Sequence, residues 1–224
     1  MFTCEYCGKS FKRENTLAVH ACEPKRRHLQ QNEKHVQLGF RSYQLFYKIG
    51  SNSKKEKTYS DFAGSQYYTA FVKFGSYCVD LKVDDVPSFT RWLLSNSKPL
   101  DRWPSDSNFN EWIKERLRTE TADRAVERTV LFLQEWGENN ANDWNAYFEA
   151  VPTNLAVFHI CAGKISPWVL YASTRAQGLL ERLNEEQIKM ILEYIDPHVW
   201  QIRIKRKEAD FEWVKELLSK ADLA

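Results

Sequence analysis

Apolar side chains recur at the spacing of an amphipathic helix over most of the chain beyond residue 28. Several of these stretches are opened by prolines or acidic residues, which favour the first turn of a helix. The pattern predicts helices over 37–49, 67–74, 86–94, 112–133, 142–150, 152–163, 167–183, 185–194 and 205–221, with an interruption at Gly178 and a cap at Asn184. The stretch 78–83 alternates weakly and favours a short extended segment.

The first 28 residues have a different pattern, that of a small metal-binding module. Cys4 and Cys7 are separated by two residues, so a tight turn can direct both thiolates at one point, and His20 follows on a predicted helix. Phe11 and Leu17 are placed to form a miniature core between a hairpin and that helix. A module this small buries too little surface to fold alone, so we expect zinc to supply the folding free energy.

The fourth ligand is less regular than the other three. A finger of this type carries His or Cys three to five residues after the first His, and those positions hold other residues here. Cys22 and His28 are the nearest candidates. Positions i and i+2 do not share a helix face, so Cys22 can bind only if the helix unwinds just after His20. Pro24 is placed to end the helix there, so we favour Cys22 over His28.

Polar and proline-containing segments divide the rest of the chain. The segment 29–60 is interpreted as a polar, partly helical connector that contains a loop at 50–55, and 95–107 is a loop and the candidate domain boundary. We therefore predict a zinc finger at 1–28, an N-terminal helical subdomain with its connector at 29–104, and a C-terminal helical subdomain at 105–224. The fold class is mostly α, with a small ββα zinc finger followed by an all-helical body of one or two subdomains.

Charge is distributed unevenly along the chain. Residues 1–57 carry 12 Lys and Arg against 5 Asp and Glu, a net charge of +7, while the remainder carries 20 against 25, or −5. This asymmetry favours a basic arm that meets a polyanion and a body that does not. The predicted phosphate contacts in the arm are Lys12, Arg13, Lys25, Arg26 and Arg27.

Resemblance to classical zinc fingers implies that Arg13, Thr16 and Val19 occupy the base-reading positions. Arg13 suits guanine, but Thr16 and Val19 discriminate poorly between bases. We therefore expect backbone contacts rather than sequence-specific reading, with docking of the finger on a protein as the competing interpretation.

A second basic segment lies near the C-terminus, at 202–207. Trp200 precedes it, with Arg203, Lys205 and Arg206 following, and cations interleaved with aromatic residues suit an unpaired strand whose bases stack and whose phosphates form ion pairs. The structural alternative is a solvated helix with Trp200 in the core.

The body resembles the replicative-helicase loaders of T-even-like tailed phages. The resemblance is carried by 147–152 (YFEAVP), the helical stretch 154–162, Ile165-Ser166 and Val199-Trp200-Gln201, and more weakly by 43–49 and 100–107. It implies a non-enzymatic, almost wholly helical two-domain protein whose N-terminal domain is similar to a high-mobility-group box. It also implies three partners: forked or single-stranded DNA, the single-strand DNA-binding protein and the replicative helicase. The finger ahead of the body departs from the family pattern.

Catalytic and membrane functions find little support in the sequence. No Gly-rich phosphate loop or nucleophile elbow is present, and the paired acids at 84–85 and 185–186 suit helix N-termini. Five cysteines, an odd number, and the lack of a signal-like or membrane-length apolar segment favour a reducing cytoplasm. We thus expect a phage-encoded DNA-replication accessory protein in the bacterial host. The alternative is a zinc-finger adaptor that binds proteins in phage transcription or assembly.

Overall fold

The structure is a computed structural model that describes residues 1–50 and 55–223. The chain packs into two compact units, Met1–Phe109 and Asn110–Ala224. This division falls within the helix Asp106–Thr119, close to the predicted boundary after residue 104. The finger belongs to the first unit. The predicted fold class, a small ββα module followed by helices, is confirmed.

The first unit begins with the ββα module and continues with helices. Strands β1 (Phe2–Thr3) and β2 (Ser10–Phe11) pair antiparallel, with Phe2 opposite Phe11. The helices that follow within this unit are α1 (Glu14–Ala18), α2 (Glu23–Leu29), α3 (Lys34–Gly50), α4 (Tyr59–Ala63), α5 (Tyr68–Asp80) and α6 (Val86–Ser95).

Helix α3 is the centre of the first unit, so the prediction that 29–60 is a connector was wrong. It packs against α5 and α6 through a face that includes Val36, Gly39 and Tyr43. Gly39 and Gly75 let α3 and α5 approach closely, since a β carbon on Gly39 would lie 2.6 Å from the carbonyl oxygen of Phe71 and one on Gly75 would overlap that of His35.

Aromatic rings fill the core beneath this crossing. Trp103, which follows a 3₁₀ turn at Leu100–Arg102, is fully buried and lies 5.2 Å from Phe74 and 5.5 Å from Phe71, measured between ring centroids. The predicted extended segment 78–83 was wrong, because α5 continues to Asp80 with Cys78 on its buried face. Most of the predicted loop at 50–55 lies outside the described residues.

The second unit is built entirely from helices over its described residues. Helix α7 (Asp106–Thr119) leads into it from the first unit. The helices that follow are α8 (Ala122–Asn140), α9 (Tyr147–Ala150), α10 (Thr153–Cys161), α11 (Pro167–Ala172), α12 (Thr174–Glu181), α13 (Glu185–Ile195), α14 (Pro197–Arg206) and α15 (Glu208–Lys220).

Side-chain caps set several of these boundaries. The predicted cap at Asn184 is confirmed, since its side chain accepts from the backbone N–H of Gln187 and the Gln187 side chain accepts in return. The predicted break at Gly178 was wrong. The chain instead changes direction at Ser173, whose hydroxyl caps α12. The predicted last helix is two helices, α14 and α15, which meet at Lys207.

A membrane-spanning helix is not found among residues 1–50 and 55–223, where every helix is too short or too polar to cross a bilayer.

Candidate metal centre

The hairpin of the ββα module places the first two thiols. The Cys4 backbone N–H donates to the Lys9 carbonyl (2.9 Å), and the Gly8 N–H donates to the Cys4 carbonyl (2.8 Å), so the chain folds back tightly around Cys7. Gly8 has φ +72°, a left-handed conformation that a side chain would strain. This turn brings Cys4 and Cys7 close enough for both sulfur atoms to belong to one cluster of donors.

The third and fourth donors come from the segment between α1 and α2. Helix α1 ends at Ala18, so His20 follows the helix instead of lying on it, and its ring packs on Phe11 at 4.7 Å between centroids. We expected the helix to end just after His20 so that Cys22 could join the other donors. It ends two residues earlier than that. Pro24 was predicted to end a helix, but it lies in the first turn of α2, which Cys22 precedes as the N-cap residue.

Four donor atoms converge on one point. The Sγ atoms of Cys4 and Cys22 are 4.0 Å apart, and Cys7 Sγ lies 3.3 Å from Nε2 of His20. All four donors lie within 4.8 Å of one another. A tetrahedral site with metal–sulfur bonds of about 2.3 Å requires donors roughly 3.8 Å apart, so small shifts of these side chains would let all four bind one metal ion. The four predicted ligands therefore form a candidate metal site.

The alternative fourth ligand is placed elsewhere. His28 lies on α2, on the exposed side of the module, and its ring contacts Tyr6 at 5.0 Å between centroids. Its role is packing against the hairpin. The structure therefore supports Cys22 over His28.

The backbone around Cys4 favours its thiolate. Desolvation acts to raise the pKa of Cys4, but hydrogen bonds from the backbone N–H groups of Cys7 and Tyr6 outweigh it, and the pKa lies below its usual value. Desolvation raises the pKa of Cys22. A cation at the site favours the deprotonated form of both, because metal ligands must lose their protons.

Of the remaining cysteines, Cys78 is buried and Cys161 is half-buried. Burial raises the pKa of Cys78 to about 12 and that of Cys161 to about 11. Both thiols are therefore poor nucleophiles at neutral pH.

The predicted phosphate contacts of the finger divide into exposed and engaged residues. Lys12, Arg13 and Arg26 are exposed, although Arg26 forms an ion pair with Glu23 (2.7 Å). Lys25 is half-buried. The predicted base-reading positions are also exposed, at Arg13, Thr16 and Val19.

Arg27 instead anchors α2 to the helices behind it. Its guanidinium donates to the Ala63 carbonyl (2.8 Å) and lies 4.4 Å from the centroid of the Tyr68 ring, and its side chain is only 19 % exposed. The Tyr59 hydroxyl donates to the Arg27 carbonyl. These contacts give Arg27 a structural role that the prediction of a phosphate contact did not foresee.

The prediction that unpaired bases stack on Trp200 was wrong. Its ring is 1 % exposed and packs against Trp168 (5.5 Å) and Tyr171 (6.3 Å). A fully packed ring offers no face to a base, so the core alternative considered for Trp200 is the correct one.

Arg203 is engaged inside the second unit. It lies over the rings of both Trp168 and Trp200, at 5.4 and 4.9 Å from their centroids, and it donates to the backbone carbonyl of Glu120 (2.5 Å). Burial lowers its pKa. Lys205 and Arg206 are exposed near the end of α14 and remain accessible to an anion.

Sequence reasoning missed a cationic cleft in the first unit, between α3 and α6. Its lining includes Arg41 and Lys48 from α3 and Arg91 from α6. Arg41 and Lys48 are seven residues apart, and this spacing places them on one helix face. This spacing is the sequence feature that could have indicated the cleft. It was not used because 29–60 was interpreted as a connector.

Comparisons with known proteins identify no relative: no protein-family model, curated protein or solved structure matches this chain.

Proposed function

We propose that this protein is a zinc-finger DNA-binding protein that assists replication by holding forked or single-stranded DNA and helping to load a replicative helicase. Three thiolates and one imidazole in a tetrahedral arrangement are the donor set that zinc prefers in structural sites. The helical, two-unit body is consistent with the helicase-loader resemblance of the sequence.

Zinc bound at this site would supply folding free energy to a module that has almost no core of its own. Among the residues of the finger, Cys4 alone is buried, while Phe11 and Leu17 are half-exposed. The four ligands therefore do the work that a hydrophobic core does elsewhere. Four protein donors leave no open coordination position, which is typical of structural rather than catalytic zinc.

The observation that carries the DNA-binding proposal is the pair of exposed cations on this module. Lys12 and Arg13 lie between β2 and α1, held in place by the hairpin and the ligands on either side. They belong to an arm of 57 residues with a net charge of +7. Positive side chains fixed on a rigid module suit contacts to successive phosphates.

Contacts to phosphates suit this finger better than base reading. Helix α1 has five residues, fewer than two turns, and Val19 lies beyond its end. A helix that reads the major groove presents several side chains along its length. The exposed Lys205 and Arg206 on α14 offer a second set of phosphate contacts.

The helical body supplies surface for protein partners. Large apolar side chains of the second unit are exposed on α10 and α13, and exposed apolar residues of this size favour contact with other proteins. They are Leu155, Phe158, Met190 and Leu192. In this proposal a helicase and a single-strand DNA-binding protein are the partners, and the protein itself is not an enzyme.

The proposal is tested by the salt dependence of binding to a labelled DNA fork. We expect Lys12→Gln/Arg13→Gln, and separately Lys205→Gln/Arg206→Gln, to weaken binding for every sequence and to reduce the salt slope by about one unit for each phosphate interaction removed. Lys73→Gln/Arg118→Gln removes the same charge from exposed positions on α5 and α7 and should leave the slope unchanged. A wild-type protein without affinity for forked DNA at low salt contradicts the proposal.

One observation favours the second candidate, a protein-binding adaptor. Val19 is 82 % exposed, and Met1 and Phe2 on the same small module are also exposed. Apolar side chains in this position suit docking on a protein. An adaptor of this kind would lack DNA affinity at any salt concentration, and substitution of Val19 by Glu would abolish its partner binding.

A further inference from the structure

A cleft of about 580 Å³ opens in the first unit between α3, the N-terminal half of α6 and the segment 55–57. Its volume lies within the range of small-molecule sites, roughly 300–1,000 Å³. The segment 55–57 is held by Gln44, whose side-chain amide donates to the Lys57 carbonyl (2.8 Å). The wall formed by this segment is therefore tied to α3.

The rim of the cleft is strongly cationic. Among the lining residues that the structure describes, five are Lys or Arg against one acid, Glu56, so these residues carry a net charge of +4. The cations come from all three walls: Arg41 and Lys48 from α3, Arg91 from α6, and Lys55 and Lys57 from the third segment. Cations that converge from separate elements on one concavity raise the local concentration of an anion.

The floor of the cleft is apolar, with one polar point. Leu38, Leu45 and Val86 line it, and between α3 and α6 the hydroxyls of Ser42 and Thr90 share a hydrogen bond of 3.2 Å. Both hydroxyl-bearing residues are buried. At 2 % and 0 % exposure these hydroxyls are enclosed, so they join α3 to α6 beneath the apolar floor and do not contact a ligand.

An aromatic ring completes the wall above this floor. Tyr47 lines the cleft, and the Lys57 ammonium lies 4.8 Å from its ring centroid. The ammonium lies over the face of the ring, so the ring holds this cation beside the apolar floor, an arrangement that suits a flat base joined to a phosphate.

From these features we infer that the cleft binds a nucleotide, with its phosphates on the cationic rim and its base over the apolar floor. The nucleotide is either free or an unpaired unit of a single strand. The second source rests on the proposed DNA-binding function, whereas the first does not. None of the lining residues belongs to the finger.

The test uses the full-length protein with three probes: ADP, a short oligothymidylate and inorganic pyrophosphate. Calorimetric titration gives affinities, and amide shifts locate the binding. We expect ADP or the oligonucleotide to bind with shifts at α3 and α6, and Arg41→Gln/Arg91→Gln to weaken that binding by about tenfold or more, since charged hydrogen bonds are removed. Lys73→Gln/Arg118→Gln, with equal loss of charge, should bind as wild type does.

A second variant tests the floor. Leu45→Ala, which removes apolar surface from the floor, should weaken ADP or oligonucleotide binding severalfold and leave pyrophosphate unchanged. Tighter binding of ADP assigns a free nucleotide, and tighter binding of the oligonucleotide assigns a strand. The inference is overturned if neither nucleotide binds, if pyrophosphate binds as tightly as both, or if Arg41→Gln/Arg91→Gln leaves the affinity unchanged. Lys12→Gln/Arg13→Gln should leave ADP binding intact, which separates failure of the cleft from failure of the finger.

Discussion

Replacement of Cys22 by Ser gives the sharpest test of the metal centre, with His28→Ala as its partner. Apparent binding free energies of structural zinc sites are about 10–16 kcal/mol for four ligands. Removal of one ligand should then cost about 3 kcal/mol, or roughly a hundredfold in affinity. The structure places Cys22 in the candidate site, where its sulfur lies 4.0 Å from that of Cys4.

His28 should behave differently because its ring packs against Tyr6 of the hairpin, at 5.0 Å between centroids, and not against the four donors. A ring pair of this kind contributes about 1 kcal/mol, so His28→Ala should weaken metal binding less than about fivefold. The affinity is measured on the full chain by competition with a chromogenic zinc chelator, with Cys161→Ser as a thiol control that changes nothing. Zinc affinity that survives Cys22→Ser and falls a hundredfold in His28→Ala would refute the ligand assignment.

Three further predictions concern packing, a buried ion pair and thiol reactivity. Gly75→Ala should destabilise the first unit by about 3 kcal/mol in urea unfolding, because its β carbon would overlap the His35 carbonyl. The control Gly178→Ala meets nothing within 4 Å and should stabilise the protein by about 0.5–1 kcal/mol. Equal unfolding midpoints of the two variants would contradict the close crossing of α3 and α5. Glu120→Ala should cost about 3–5 kcal/mol in the second unit, since it leaves buried Arg128 without the carboxylate 2.5 Å away, and a change within error would show that the pair is dispensable. Near pH 8, chelation of the metal should expose the three finger cysteines to alkylation by iodoacetamide, as detected by mass spectrometry. Cys78 and Cys161 should stay unmodified, because burial raises the pKa of Cys78 to about 12 and that of Cys161 to about 11. Rapid alkylation of Cys78 or Cys161 would contradict their placement.

The metal centre could be predicted from the sequence because its geometry is local. Cys4 and Cys7 belong to one turn, and the donors of the second half lie within three residues of each other. What the sequence could not provide was the path of the backbone between them. Helix α1 ends at Ala18, and the chain is extended by Cys22, so His20 lies in a short non-helical segment that the side-chain pattern does not mark.

The wrong predictions for Trp200 and for the segment 29–60 have a common physical cause. A pattern of side chains in the sequence does not show which groups those side chains contact in the fold. Trp200 beside Arg203 is a pattern typical of a nucleic-acid surface, yet here the cation lies over Trp168 and Trp200 within the protein. Likewise, the sequence of α3 resembles a connector because two of its buried positions are Gly39 and Ser42, which add little hydrophobicity. Their burial follows from the close approach of α5 and α6, which is set by residues far away in the sequence.

Arg27 shows how the finger and the helices of the first unit depend on each other. Cys22, of the candidate metal site, is the N-cap residue of α2, and Arg27 on the same helix binds the Ala63 carbonyl and the Tyr68 ring. A short helix thus connects the ligands to α4 and α5, so removal of the metal should release 1–21 while α2 stays anchored. Because the anchor lies within α2, a chain that begins near residue 30 lacks this anchor, whereas one that begins at Glu23 keeps it. The natural limit of the finger is therefore Cys22, its last ligand, and the basic residues that follow belong to the helical body.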